Sequence, residues 1–137
     1  MKKQLNAVAK FHEAFNQKIA SWPQHISKDE YMLRHRLMEE ENLEYLQACN
    51  TNDIVAIADA LGDQMYILCG TILKHGLQHI IEDIFDEIQS SNMSKLGEDG
   101  KPILREDGKI LKGPKYFPPD LEKYLQFNTL RDEEGEI

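Results

Sequence analysis

Two groups of carboxylates lie at helical spacing in this chain of 137 residues, and together they could hold a divalent metal ion. They are Glu40, Glu41 and Glu44 in RLMEEENLEYL, and Asp59 and Asp63 in IVAIADALGDQMYIL. On a helix the three glutamates fall within an arc of roughly 100°, which they share with Leu33, Leu37 and Ala48. Acids that interrupt an apolar stripe in a helix bundle need a compensating cation. Because all five ligands are carboxylates, the predicted ion is Mg²⁺, with Mn²⁺ as a substitute.

Each group also has a simpler explanation. The glutamates could form a solvated helix face, since Glu is a good helix former. Asp59 and Asp63 could be buried acids that are capped or ion-paired. They are, however, the only charged residues between Ile54 and Leu73, and their spacing of four points them in the same direction. The two groups together favour a metal site.

The chain lacks the motifs of several other metal and nucleotide sites. A ferritin-like di-iron centre requires Glu-x-x-His pairs, and no histidine here follows a glutamate at that spacing. His75 and His79 straddle Gly76 and are predicted to be surface residues of different helices. Neither a zinc motif nor a glycine-rich phosphate loop is present. A nucleotide would therefore be held by metal and by basic side chains.

Helical periodicity predicts an all-α fold, a bundle of four to five helices that positions the acids. Four helices are predicted over residues 3–20, 28–49, 53–75 and 77–91. Ser27, with Glu30 three residues later, has the capping-box pattern, and Gly76 is a typical residue just after a helix end. The third helix is apolar on both faces, which predicts a central place in the bundle.

The character of the chain changes after Asn92. Residues 97–116 contain six glycine or proline residues, and EDGKPILR followed by EDGKILKG predicts turns or a small hairpin. The segment 92–116 is thus predicted to be an irregular loop, which is basic because six basic residues stand against four acids. A short helix is predicted over 119–127, an acidic disordered tail over 128–137, and a single domain over 1–127.

Overall charge and cysteine content restrict the function. A net charge of −8 disfavours nonspecific binding to nucleic acid. Cys49 and Cys69 are isolated in the sequence, which is typical of reduced core cysteines and predicts a cytoplasmic location. The third predicted helix is long enough to span a bilayer, but its two central aspartates predict against it. We therefore expect neither nucleic acid nor a membrane as a partner.

The acids lie within a longer pattern that carries a family resemblance. Arg36-Leu37 leads into Glu40-Glu41-x-x-Glu44, and the Asp59-Ala-Leu-Gly-Asp63 segment runs on through Tyr66 to Gly70. Together with the later SSNMSKL, DGK, LKGPKY and PPDL segments, this combination resembles the all-α nucleotide pyrophosphohydrolases of the MazG and phosphoribosyl-ATP pyrophosphohydrolase-like group. The resemblance covers roughly residues 30–122.

The resemblance implies a Mg²⁺-dependent hydrolase that converts a (d)NTP and water to the (d)NMP and pyrophosphate, in nucleotide-pool house-cleaning. It also implies a homodimer or a larger homo-oligomer. In such an enzyme the five acids would bind metal, and Glu41 would be the catalytic general base. Substrate contacts are expected from Asn92, Lys95, Lys109, Lys112 and Tyr116.

The chain departs from the family pattern at one position. That pattern is EExxE followed by ExxD, and the glutamate of the second half is replaced by Ala56 if Asp59 ends the motif, or by Ala60 if Asp63 does. The two aspartates would then act together in place of the missing ligand. The alternative function is that of a catalytically weakened relative that binds nucleotide, or of a helical interaction module.

Overall fold

Within residues 1–125, which the computed structural model describes, the chain is all-helical apart from one isolated β-bridge. The helices are α1 (Lys2–Ala14), α2 (Lys28–Asn50), α3 (Ile54–Lys74), α4 (Ile81–Met93) and α5 (Glu122–Leu125). The chain divides into two compact units, residues 1–79 and the residues from Ile80 onward. The all-α prediction is confirmed. The single domain over 1–127 stays a prediction, and the predicted acidic tail lies outside the described residues.

The first unit is built around α3, which packs against both α1 and α2. Leu5 and Val8 of α1 are buried, and their spacing of three places them on one face of that helix. Ala60, Ile72 and Leu73 are buried residues of α3. Within this unit α3 is therefore the shared helix, as its apolar sequence predicts.

α1 ends earlier than residue 20, which is its predicted end. Asn16 has a φ of +56°, a left-handed conformation through which a helix does not continue. The following segment pairs instead with the end of α3, since the Ala20 and Gln24 amides donate to the carbonyls of Leu73 and His75 at 3.0 and 2.9 Å. The predicted helix is wrong from residue 15 onward, because periodicity along the chain does not reveal this tertiary pairing.

α2 begins where the capping pattern predicts and leads directly into α3. The Glu30 amide donates to the Ser27 hydroxyl at 3.3 Å, and the Ser27 amide donates to Glu30 Oε2 at 3.0 Å. This reciprocal pair satisfies two donors at the helix start. At the other end, Asn52 turns the chain with a φ of +53°, and the Asp53 side chain accepts from the first amides of α3 at 3.1 Å. α2 and α3 thus form a tight helical hairpin.

Two contacts fix an antiparallel register between α2 and α3. Arg34 donates to Thr71 Oγ1 at 3.0 Å and to the Ile67 carbonyl at 2.8 Å. About two turns further along α2, the Gln64 side chain donates to the Glu41 carbonyl at 3.3 Å. Because the partners on α3 run backwards as those on α2 run forwards, the Glu41 turn of α2 faces the Gln64 turn of α3.

Large apolar side chains of α2 and α3 remain exposed. Leu43 and Leu46 are each 54% exposed on α2, and Leu61, Met65 and Leu68 are nearly as exposed on α3. α3 is also long and apolar enough to cross a membrane, by length and composition only, a test that the core helix of a soluble protein also passes. An uncovered set of apolar side chains is typical of a protein–protein contact.

α3 ends at Gly76 in a Schellman motif, as its position predicts. Gly76 has a φ of +69°, and the amides of Gly76 and Leu77 donate to the carbonyls of Leu73 and Ile72 at 3.2 and 3.0 Å. Leu77 is therefore used in ending α3. Turns follow until α4 begins at Ile81, so the predicted start of the fourth helix at Leu77 is too early.

The second unit contains the basic loop, which is irregular, as predicted. Its described residues pair through one bridge between Leu104 and Ile110. The Ser91 hydroxyl on α4 donates to the Phe117 carbonyl at 2.8 Å and so ties the end of the loop to that helix. α5 lies inside the helix predicted over 119–127, of which the last two residues are outside the described part of the chain.

Candidate metal centre

Three carboxylates, which we call the acidic group, meet between α2 and α3. They are Glu41, Glu44 and Asp63, and one oxygen of each lies within 4.8 Å of the others. The two glutamates are three residues apart and share a face of α2. α3 brings Asp63 beside them because the hairpin is antiparallel and Gln64 contacts Glu41. Carboxylate oxygens this close together can share one divalent cation.

Glu41 is half-buried. Its Oε2 atom is shielded from solvent, and no donor among the described residues reaches it. Burial, followed by the neighbouring Glu44, Asp63 and Asp59 carboxylates, raises the pKa of Glu41. A shielded carboxylate oxygen without a donor costs free energy, and a cation bound beside it would offset that cost. The residues present therefore fit a metal ion.

The donor set also indicates the class of metal. The acidic group offers three carboxylate oxygens and neither histidine nor cysteine, which suits hard cations such as Mg²⁺ and Mn²⁺. Three protein ligands leave positions for water and for the phosphate oxygens of a substrate. The arrangement can therefore bring a metal ion and a phosphate group together.

Two of the five predicted ligands lie outside the acidic group. Glu40 is exposed on α2, and Asp59 is exposed on α3. Asp59 nevertheless acts electrostatically on Glu41. The five-ligand set as a whole stays a prediction, and the geometry brings together three of its members.

A cavity of about 550 Å³ lies beside the same helix pair. It is lined by His35, Met38, Glu39, Asn42, Gln64 and Leu68. Gln64 links it to the acidic group, because this side chain also donates to the Glu41 carbonyl. A cavity of this size can hold a small organic ligand, with apolar walls for a ring and two amide groups for hydrogen bonds. The sequence pattern did not single out Asn42 or Gln64.

Four of the predicted substrate contacts lie near one another in the second unit. The Gly113 amide donates to the Lys95 carbonyl at 2.9 Å, and the Lys95 amide donates to the Asn92 carbonyl at 3.2 Å. These bonds hold the loop against the end of α4. The Lys112 ammonium lies 4.8 Å from the centre of the Tyr116 ring, a cation–π contact.

Lys109, the remaining predicted contact, lies in a separate turn of the loop. Its amide donates to Asp107 Oδ1 at 3.2 Å, its carbonyl accepts from the Arg105 amide at 2.8 Å, and its side chain is exposed. These contacts explain the shape of the loop and do not test a role in substrate binding. For all five residues, Asn92, Lys95, Lys109, Lys112 and Tyr116, that role stays a prediction.

A cluster of basic side chains in the first unit was not predicted from the sequence. This basic cluster consists of His12, Arg34 and Lys74. His12 is 3% exposed, and burial together with the charges of Arg34 and Lys74 lowers its pKa. Gly70 permits the close packing, because a Cβ there would lie 2.6 Å from Arg34 Nη2 and 2.9 Å from His12 Nε2. The sequence offered one hint of this close packing, which is that Gly70 lies in the interior of an apolar helix.

Similarity to known proteins gives independent evidence on the family of this chain. The family model described as phosphoribosyl-ATP pyrophosphohydrolase matches residues 8–92, more than half of the chain and all of α2 and α3. A crystal structure of a proposed NTP pyrophosphohydrolase from Exiguobacterium sp. 255-15 is 26% identical over 98% of both chains, with a TM-score of 0.48. No curated protein shows significant similarity to the chain. The family match confirms the resemblance seen in the sequence: the chain belongs to the phosphoribosyl-ATP pyrophosphohydrolase family, a family of pyrophosphohydrolase-type hydrolases.

Proposed function

We propose that this protein is a Mg²⁺-dependent nucleoside triphosphate pyrophosphohydrolase of the cytoplasm, which converts a (d)NTP and water to the (d)NMP and pyrophosphate. Removal of an unwanted nucleotide from the pool would be its role. The observation that carries the proposal is the acidic group, whose three oxygens lie within 4.8 Å of one another beside the shielded Oε2 of Glu41. Family membership supports the pyrophosphohydrolase chemistry.

Glu41, Glu44 and Asp63 would hold the metal. When bound, Mg²⁺ would supply Lewis-acid polarisation of phosphate oxygens and offset their negative charge. The protein positions the three carboxylates through the α2–α3 register, which the Arg34 and Gln64 hydrogen bonds maintain. Both helices are long and capped, so the ligands are held on rigid elements.

Glu41 is the proposed general base. Oxygen of the attacking water forms a bond to the α-phosphorus, while the bond from that phosphorus to the bridging oxygen of the departing pyrophosphate breaks. The water must lose a proton during this step. Oε2 of Glu41, which no donor among the described residues reaches, can accept that proton.

The nucleoside part of the substrate would occupy the cavity of about 550 Å³ beside the acidic group. Met38 and Leu68 offer apolar surface to a base, and the Asn42 and Gln64 amides offer both donors and acceptors. Hydrogen bonds from fixed amides discriminate between bases more strongly than apolar contacts do. Asn42→Ala should therefore change the order of preferred nucleotides, which a comparison of kcat/KM values across the four bases would measure.

A homodimer is part of the proposal. Leu61, Met65 and Leu68 on α3 and the two exposed leucines of α2 leave apolar surface that a second copy could cover. Burial of such surface contributes about 25 cal/mol per Å². Analytical ultracentrifugation should show a dimer that Leu61→Glu dissociates, while the exposed polar control Gln47→Glu leaves it intact. A monomeric wild-type protein would contradict this part of the proposal.

A catalytically weakened relative is the second candidate. The acidic group of the described residues contains three carboxylates rather than five, and Ala60, which replaces the family glutamate in one alignment, is 2% exposed. Such a protein would bind nucleotide with Mg²⁺ and release no pyrophosphate. A helical interaction module, the remaining alternative, would not be stabilised by Mg²⁺.

Pyrophosphate release from a panel of ribo- and deoxyribonucleoside triphosphates, with and without Mg²⁺, tests the proposed function. The informative variant is Glu41→Gln, and Glu40→Gln is its matched control because Glu40 is the adjacent, exposed acid outside the acidic group. We expect Glu41→Gln to lower turnover by about 100-fold or more and Glu40→Gln to retain most of it. Absence of release with every nucleotide, from a folded wild-type protein, would support the weakened relative.

A further inference from the structure

A second polar cavity, of about 210 Å³, lies in the first unit between the start of α2 and the end of α3. Its polar lining consists of Lys18, Gln24, His25, Ser27, Glu30 and Lys74. None of these residues belongs to the acidic group or to the cavity assigned to the nucleoside. The chemistry of the lining is that of an anion site, with two lysines, a histidine, an amide and a hydroxyl against one carboxylate.

Lys74 is the residue that points to a ligand. Its side chain is 9% exposed although it carries a charge, and its ammonium group lines the cavity without a hydrogen bond or ion pair to the side chains of the described residues. A lysine this deeply buried is normally paired. Its one acidic neighbour in the cavity, Glu30, interacts with it electrostatically but lies outside ion-pairing distance.

The Glu30 carboxylate already accepts hydrogen bonds at the start of α2. Its Oε2 accepts from the Ser27 amide at 3.0 Å and from the Ser27 hydroxyl at 3.1 Å. Lys18 acts on the same carboxylate, so two ammonium groups share one acid that two other donors also use. The cavity therefore has an excess of positive charge. The N-terminus of α2, a helix of 23 residues, adds to this excess through its dipole.

The walls of the cavity are held in place before any ligand binds. The Ala20 amide donates to the Leu73 carbonyl at 3.0 Å, and the Gln24 amide donates to the His75 carbonyl at 2.9 Å. Gly76 allows the same segment to pass close by, because a Cβ there would lie 2.0 Å from the Trp22 carbonyl oxygen. A pre-formed site loses little conformational entropy on binding.

We propose that this cavity binds a phosphate-class oxyanion, with Lys74 as its buried cationic ligand and Lys18 at its rim. The anion could arrive free or as the end of a phosphate monoester, and both share the same tetrahedral, multiply charged chemistry. The Lys74 ammonium would donate to it, and the α2 N-terminus would add favourable electrostatic interaction. This site is separate from the acidic group and does not depend on the proposed catalytic function.

Thermal unfolding in the presence of EDTA tests the site without interference from a metal. Inorganic phosphate, phenyl phosphate and chloride are titrated at one ionic strength and one pH, so that general screening is matched. We expect inorganic phosphate to raise Tm above the chloride baseline. A rise with phenyl phosphate as well would identify a site open to monoesters, whereas a rise with inorganic phosphate alone would identify a site for the free anion.

The variant Lys74→Met keeps the length and burial of the side chain and removes its charge. It should weaken phosphate binding by about tenfold or more, whereas Lys10→Met, an exposed lysine on α1, should leave it unchanged. If Lys74→Met fails to fold, Lys18→Met at the exposed rim and a ³¹P NMR titration give the same comparison. Equal stabilisation of wild type and Lys74→Met, or no effect beyond chloride, would overturn the proposal.

Discussion

Two clusters of like charge are built on the same antiparallel helix pair, and the protein accommodates them in opposite ways. The acidic group lies between α2 and α3, and the basic cluster uses residues of the same two helices together with His12 of α1. The pKa of Glu41 is raised and that of His12 is lowered, so that the neutral form of each is favoured. The clusters differ in what else surrounds them.

Arg34 is the member of the basic cluster that finds hydrogen-bond partners within the described residues. It donates to Thr71 and to the Ile67 carbonyl, whereas burial and the charges of Arg34 and Lys74 lower the pKa of His12, whose Nδ1 atom has no hydrogen-bond partner among the described residues. The acidic group contains only acceptors, and no described donor reaches Oε2 of Glu41. Gathered acids are stabilised by an external cation, whereas a buried histidine avoids the cost of a buried charge by losing its proton. Lys74 also lines the second polar cavity, and it is there that a second ligand is proposed.

The largest expected effect separates the acids inside the acidic group from those outside it. Asp63→Asn removes a charge from the group and should reduce kcat/KM by about 100-fold or more, because a stabilising charge at the reacting phosphate is lost. Asp59→Asn, one turn earlier on α3, should cost less than tenfold. Steady-state pyrophosphate release measures both. Equal losses would mean that the two aspartates act as one unit.

Metal binding at the acidic group should stabilise the folded protein, and this effect should not depend on the basic cluster. At a Mg²⁺ concentration of a hundred times Kd, the wild-type protein should gain about 2.7 kcal/mol in free energy of unfolding. Glu41→Gln should be more stable than wild type in EDTA, since a disfavoured charge is removed, and should lose most of the gain with Mg²⁺. Urea unfolding of the wild type and of Glu41→Gln, each in EDTA and in Mg²⁺, measures the four free energies of unfolding. A variant that responds to Mg²⁺ as wild type does would argue against Glu41 as a ligand.

Packing around the basic cluster should be sensitive to added volume. Gly70→Ala places a methyl group 2.6 Å from Arg34 Nη2 and 2.9 Å from His12 Nε2, and should destabilise the protein by about 1–3 kcal/mol. Gly62→Ala on the same helix meets nothing within 4 Å and should stabilise by up to about 1 kcal/mol through helix propensity. Urea unfolding of both variants gives the comparison. Similar values for the two would show that Arg34 moves aside freely.

The smallest expected effects are opposite changes in stability with pH, measured without divalent metal. The pKa of His12 is lowered below 6.5, so the unfolded chain binds its proton first, and stability falls as the pH drops below about 6.5. The pKa of Glu41 is raised above 4.5, so the folded protein binds that proton first, and stability rises as the pH falls from the raised pKa towards 4.5. His12→Gln should remove the first slope and Glu41→Gln the second, while the exposed control His25→Gln should change neither. If stability changed with pH in all three variants as it does in wild type, both assignments would be contradicted.

Local signals predicted the ends of the helices well where the cause was local. The capping box at Ser27 and the stop at Gly76 depend on residues a few positions apart, and both are present in the structure. The start of α4 was wrong because Leu77 takes part in the local motif that ends α3. The end of α1 was wrong because residues after Asn16 bond to the end of α3. Such bonds join parts of the chain that are distant in sequence, which periodicity does not reveal.

The sequence predicted that the two groups of acids form one site, but not which of the acids meet. Spacing placed Glu40, Glu41 and Glu44 on one side of α2, but the antiparallel register decides which of them meet Asp63. The basic cluster had no comparable pattern, since its members come from three helices. Its geometry depends on the close approach at Gly70, which is visible only once α1, α2 and α3 are packed.

The tight turn at Asn52 has a consequence for how the protein folds. Because it joins α2 directly to α3, all three carboxylates of the acidic group lie within one helical hairpin, and the two helices that bring them together are adjacent in the sequence. Contacts of this kind close with little loss of chain entropy and form on fast timescales. We expect the ligands to come together as soon as the hairpin pairs, so that a divalent ion present during folding can bind before the rest of the chain has settled.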